Sequence, residues 1–219
     1  MTGDATAFSH VGLMALIAIA PFAIIAGTSF AKIAVVLGML RSALGAPGVP
    51  PASVITALAA VLSLGIMAPV ATEMAAAAEA AASAKRATSM PGDALGIGEA
   101  RALYDAISPP MLDFLEANTP DSEVDFFRDL AADGGAVEAR SVRVLLPAFA
   151  LSEIIEGFLI GFLLLLPFLV IDLVVGNALL ALGLQSLPPT AVSLPLKLLL
   201  FLAVDGWHVL VSGLAISYA

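Results

Sequence analysis

Glu153, Glu156, Asp172, Lys197 and Asp205 stand inside an otherwise apolar stretch running from Leu145 to Ala219, and they limit what such a chain can become. An ionisable side chain at the centre of a bilayer costs roughly 2.5 to 3.5 kcal/mol on insertion scales, so five facing lipid would cost on the order of 15 kcal/mol. They are therefore expected to face other protein, a partner charge or water, as buried charge pairs between helices or between subunits. Glu153 and Glu156 are three positions apart and share a helix face. Lys197 is their natural counter-ion, with Asp172 and Asp205 as rivals for it.

The apolar run between Glu156 and Asp172 holds fifteen residues. Such a helix is about 22 Å long against a hydrocarbon core of about 30 Å, too short for a simple span. Pro167 interrupts the run, and Leu187-Pro188-Pro189 forces a reversal after it. The pattern predicts two helical arms, a bent one over residues 145–183 and a second over 191–217. Gly157 and Gly161 form a GxxxG step, and with Gly176 and Gly183 they let another helix approach closely.

The rest of the composition agrees with a membrane setting: the chain is 60% hydrophobic and 12% charged, outside the soluble globular norm. It has no cysteine, which excludes disulfides and thiolate metal sites. His10 and His208 show no metal-ligand spacing, so neither metal nor cofactor is expected. The net charge of −9 gathers in residues 75–144, where twelve acids face six bases. An acidic surface of this kind is solvated and argues against nucleic acid as a partner.

Met1 to His10 carries Asp4 and no Lys or Arg, so a secretory n-region is missing and the first apolar segment is expected to be retained. That segment runs over residues 11–40 and is kinked at Pro21, with Lys32 and Arg41 placed to snorkel toward an interface. Gly45 to Pro51 makes a turn, and a second apolar helix begins near Ser53, a plausible N-cap, and reaches Pro69 or beyond. The alanine run from Met74 extends it until Ser89-Met-Pro-Gly-Asp breaks it. Residues 98–130 read as two or three short amphipathic helices, and residues 131–136 as a flexible linker. The chain thus reads as an all-α membrane protein. An N-terminal hydrophobic hairpin (1–74) and C-terminal hydrophobic hairpins (145–219) flank an acidic helical insert (75–144), with both termini and the insert on one side, the periplasmic one.

The same residues resemble the SctR/FliP proteins of the type III export apparatus. The resemblance covers nearly the whole chain except the insert. It is carried by Thr28-Ser29-Phe30, Lys32-Ile33, Leu40-Arg41-Ser42-Ala43-Leu44-Gly45, Val49-Pro50-Pro51 and Met67-Ala68-Pro69. It continues in Leu146-Pro147-Ala148-Phe149, Ser152-Glu153, Gly161-Phe162, the run from Pro167 to Val175, the run from Ser193 to Leu198, and Asp205-Gly206-Trp207.

That resemblance implies a non-enzymatic subunit of the export gate in the bacterial inner membrane, multi-pass and facing the periplasm. Five such subunits would form a ring with SctS-like (FliQ-like) and SctT-like (FliR-like) partners, beside an SctU-like (FlhB-like) switch protein. Unfolded secreted proteins would pass through its centre. The loop Leu182, Gly183, Leu184, Gln185 and Ser186 would be the gate. The family pattern has methionines there, flexible thioethers able to repack around a passing chain, whereas this chain has Leu184, Gln185 and Ser186. Ile155 likewise stands where a lysine is common, which leaves Glu153 without an obvious local partner. The missing signal sequence points to an injectisome rather than a flagellum.

Two readings from other classes compete. A small-solute secondary transporter also uses broken helices and midplane charges. Ser193 and Lys197 have the spacing of a serine-lysine dyad, which would suit an intramembrane hydrolase. Against it stand Pro195 between the two, the lack of an oxyanion element, and the simpler account of Ser193 as an N-cap. Trp207 is expected to pack against protein, Tyr218 to sit at a membrane interface, and Phe149, Phe158, Phe162 and Phe168 to lie in the core.

Overall fold

The computed structural model describes residues 18, 22, 25–45, 50–88, 97–132 and 137–218. Helices occupy Phe30–Leu44 (α1), Ala52–Thr88 (α2), Ile97–Ala117 (α3), Asp121–Ala131 (α4), Val142–Ala181 (α5), Pro189–Ala203 (α6) and Gly206–Ile216 (α7). There is no strand among the described residues. The expected kink at Pro21, the break at 89–93 and the linker at 133–136 lie outside the described residues.

Two helices, Ala52–Ala84 within α2 and Val142–Ala181, are long and apolar enough to cross a membrane. α5 corrects the reading of a run too short to span. The helix does not stop at Glu156 or Asp172 but continues through both for 40 residues, about 60 Å at 1.5 Å per residue. Pro167 leaves it unbroken, as membrane helices allow where neighbours restore the lost backbone contact. Pro69 likewise sits inside α2, where Thr72 Oγ1 donates to the Pro69 carbonyl at 2.7 Å. Ser53 is not the N-cap of α2, which already begins at Ala52.

The chain divides into two compact units, residues 1–29 with 69–152, and residues 30–68 with 153–219. In the first, the stretch over residues 98–130 forms two helices, α3 and α4, and α3 runs unbroken through Pro109 and Pro110. Leu115, Val144, Leu145, Ala148 and Phe149 are buried there, and Phe114 meets Phe149 edge-on at 5.6 Å. Arg140 ties the turn before α5 to Asp113 and Glu116 of α3. α4 opens after Pro120 with Asp121 and Glu123 in its first turn and Arg128 in its last, the charge order its dipole favours.

In the second unit, Ile33, Val36, Leu37, Leu40 and Leu44 recur at helical spacing and turn one face of α1 inward. They join Ile55 and Ala59 of α2, Phe168 of α5, Phe201 of α6, and Leu210 and Leu214 of α7 in one core. The second arm expected over 191–217 is broken: α6 and α7 meet at 59°. Asp205 makes that corner with φ 51°, and Gly206 follows it against the Phe201 ring. A Cβ on Gly206 would stand 2.8 Å from Phe201 Cζ, so the corner closes only around glycine.

Candidate functional site

Lys32 organises the first charge cluster. The apolar face of α1 carries it inward beside Ile33, and its side chain is only 2% exposed. Its Nζ lies 2.9 Å from Glu153 Oε1 and 2.7 Å from Glu156 Oε2, both on α5. Glu153 is fully buried, whereas Glu156 keeps 41% of its side chain exposed. Tyr218 donates its hydroxyl to Glu153 Oε2, and Lys32 Nζ lies 4.2 Å from the centre of the Tyr218 ring. Burial pushes the Tyr218 phenol far above its ordinary range, and the Glu153 carboxylate adds to the shift, so the group remains a donor.

Three expectations change here. Lys32 does not snorkel outward, because it lies on the buried face of α1 next to two carboxylates. Glu153 does have a partner charge within the chain. Tyr218 is half-buried in the charge cluster rather than turned to an interface. Sequence reading missed the grouping because Lys32 and Tyr218 lie far from Glu153 along the chain. The available signal was Lys32 next to Ile33, at the head of a stripe that had to face inward.

Lys197 forms the second cluster with Asp172, not with Glu153 or Glu156. Its Nζ lies 2.6 Å from Asp172 Oδ2 and 2.9 Å from the Ala43 carbonyl. That carbonyl belongs to the last turn of α1, where acceptors lack helical partners and the dipole favours a cation. The ammonium therefore joins α1, α5 and α6. Asp205, grouped with these residues by sequence, is exposed at the α6–α7 corner and makes no ion pair among the described residues.

Gly157 and Gly161 face α1. A Cβ on Gly157 would lie 3.2 Å from Val35 Cβ and 3.3 Å from Lys32 Cα, and one on Gly161 would lie 2.9 Å from Met39 Cβ. Gly176 and Gly183 have open space instead. Gly183 has φ 72° and terminates α5: its N–H donates to the Leu180 carbonyl at 3.1 Å, and the Leu184 N–H to the Leu179 carbonyl at 2.9 Å. Leu182, Gly183, Leu184, Gln185 and Ser186 form an exposed turn before α6.

Ser193 is buried inside α6, four residues past its start, so it is not an N-cap. The Lys197 ammonium is held by Asp172 and Ala43, which leaves no free base for a serine-lysine dyad. An apolar groove of about 500 Å³ runs between Ile160, Leu164 and Phe168 of α5 and Phe201, Leu210 and Leu214. None of its lining residues is ionisable, so it lacks the polar groups that orient a small solute. Phe168 and Phe149 are buried as expected, but Phe158 and Phe162 are 56% and 52% exposed. Trp207 packs edge-on against Phe201 at 5.3 Å.

Residues 13–214 match the FliP family. The chain is 41% identical over 218 residues to the hypersensitivity response secretion protein HrcR of Ralstonia nicotianae, covering 96% of this chain and 97% of that protein. It is 39% identical over 212 residues to the Yop proteins translocation protein R of Yersinia pestis, covering 94% of each. It is 37% identical over 214 residues to the flagellar biosynthetic protein FliP of Rhizobium meliloti, covering 94% of this chain and 82% of that one.

Proposed function

The chain belongs to the FliP family of secretion-apparatus components, which are structural proteins and not enzymes, and on that premise we propose that it is a core subunit of a type III export gate. In this reading several copies form a closed channel in the bacterial inner membrane, on its periplasmic side, that yields to unfolded secreted proteins. Small SctS-like and SctT-like subunits complete the channel, and an SctU-like protein adjoins it. The turn 182–186 lines the constriction.

One observation carries this reading. The second unit encloses Lys32 with Glu153 and encloses Lys197 beside Asp172, and it turns large apolar side chains outward. Phe158, Leu163, Val170 and Leu173 of α5 are each more than half exposed. Such a surface needs lipid or neighbouring subunits against it. The glycine-lined contact of α5 with α1 is already filled within the chain, so the outward faces are what remain for assembly.

Native mass spectrometry of the detergent-extracted protein, alone and co-expressed with its genomic neighbours, tests the proposal. A ring of several copies that gains small hydrophobic subunits supports it. A monomer that recruits nothing under either condition overturns it.

A further inference from the structure

We propose that α4 is a docking helix whose outward face, Phe126 and Leu130 between Glu123 and Asp129, seats in an apolar cleft rimmed by Lys or Arg on a different protein. α4 is turned the wrong way round for a helix that serves only its own unit, since an amphipathic helix normally sets its apolar side against the core. Asp121, Val124, Asp125 and Arg128 recur at helical spacing on the side toward the unit, where they line a polar cavity with Thr119 and Leu145. Phe126 and Leu130, four positions apart, fall on the opposite side and are 56% and 66% exposed. No residue of α4 is buried. Phe127 stands edge-on to Phe126 at 5.1 Å and braces that ring from the side.

The charges beside the apolar pair say what covers it. On the helical wheel Asp129 borders the pair on one side and Glu123 on the other. Asp129 is 80% exposed and comes no nearer than 3.9 Å to Arg128, which is held by Asp125 at 2.7 Å. Glu123 accepts a hydrogen bond from Ser122 Oγ and makes no ion pair among the described residues. Arg140 is occupied by Asp113 and Glu116. The counter-charge for this face therefore comes from outside the unit.

A lipid surface does not supply it. Helices that lie on membranes flank their apolar side with Lys and Arg, and acids in those places are repelled by anionic headgroups. The same stretch of a second copy does not supply it either, because residues 75–144 carry twelve acids against six bases and two of them would meet with like charges. A basic cleft on another protein meets both needs at once. Anchors at i and i+4 suit a helix laid in a groove. α4 is already formed in the free chain, with Asp121 and Glu123 in its first turn and Arg128 in its last, so little ordering opposes its docking.

Site-specific photo-crosslinking of the full chain in the bacterium that makes it tests the contact. The reactive side chain replaces exposed Ser122, one turn before Phe126 on the same face, which leaves both anchors in place. The expected product joins this chain to a different protein at a segment where apolar residues are flanked by Lys or Arg. Phe126→Ser with Leu130→Ser is expected to cut its yield about tenfold, and Glu123→Lys with Asp129→Lys to cut it as far, with the thermal unfolding midpoint kept in both. Glu in place of the partner's flanking bases should then restore the cross-link to the Lys variant. A product with lipid or with a second copy of this chain, a partner segment without bases, a yield indifferent to these changes, or no product overturns the contact. The export-gate reading is tested separately by native mass spectrometry and survives any of those results.

Discussion

Lys32 on α1 and Glu153 on α5 lie 2.9 Å apart with both side chains almost wholly enclosed. Removing one member strands the other, and breaking a buried pair in this way costs about 3 to 5 kcal/mol. Lys32→Met is therefore expected to lower the unfolding midpoint in detergent sharply. Lys32→Met combined with Glu153→Gln should recover most of that loss. Differential scanning fluorimetry on Trp207 emission would compare them, and a double variant no better than the single would refute the pairing.

Asp172 and Lys197 predict an asymmetry. Asp172 is 40% exposed, whereas Lys197 is 4% exposed and has no open face on which to meet another counter-charge. Asp172→Asn, which leaves an enclosed ammonium with neutral acceptors and no counter-charge, is expected to destabilise more than Lys197→Met. Equal losses in thermal unfolding would count against the assignment.

Tyr218→Phe retains the ring beside Lys32 and deletes the donor to Glu153. Leaving that buried acceptor short of a partner costs about 1 to 3 kcal/mol. Tyr218→Leu should cost more, because the cation–ring contact goes too. Matching midpoints for the two variants would show that the ring contributes nothing.

The glycines separate by what stands against them. Gly161→Leu must drive into Met39, and Gly157→Val into Val35 and the Lys32 backbone. Both are expected to lose folded protein, as judged by the yield of monodisperse material in size-exclusion chromatography. Gly176→Ala meets open space and should behave as the unaltered chain.

Gly183→Ala places a side chain at φ 72°, a conformation that costs an L-residue about 1 to 2 kcal/mol. The strain falls on the turn between α5 and α6 and leaves the buried clusters intact. The proposed gate role predicts a change in secretion larger than that small loss of subunit stability explains, measured by export assays beside thermal unfolding. Unchanged secretion would remove this turn from the constriction.

The helical, membrane-embedded character was legible because apolar runs and their Pro-Gly punctuation depend on local physics. The ion pairs were only partly so. Lys197 and the acids declared themselves as charges out of place, but their pairing depends on how helices 25 to 154 residues apart in sequence come together. Lys32 was misplaced because a basic residue near a segment's end usually reaches outward, and here the stripe beginning at Ile33 overruled that tendency. Phe158 and Phe162 were assigned to a core because hydrophobicity implies burial in water. In a chain bounded by lipid or other subunits it does not. The break at Asp205 carried a faint sign in the Asp-Gly step, which an unbroken apolar pattern on both sides concealed.

α5 is pinned twice. Lys32 holds it to α1 at Glu153 and Glu156, and Lys197 holds it at Asp172 while gripping the end of α1 at Ala43. Nineteen residues separate Glu153 from Asp172, about 28 Å of helix, nearly the depth of the hydrocarbon layer. Sliding α5 along α1 by one turn, about 5.4 Å, would tear both fastenings at once. These helices therefore behave as a braced beam, and in the proposed gate the widening of a passage would fall to whole subunits shifting together or to the unbraced turn at 182–186.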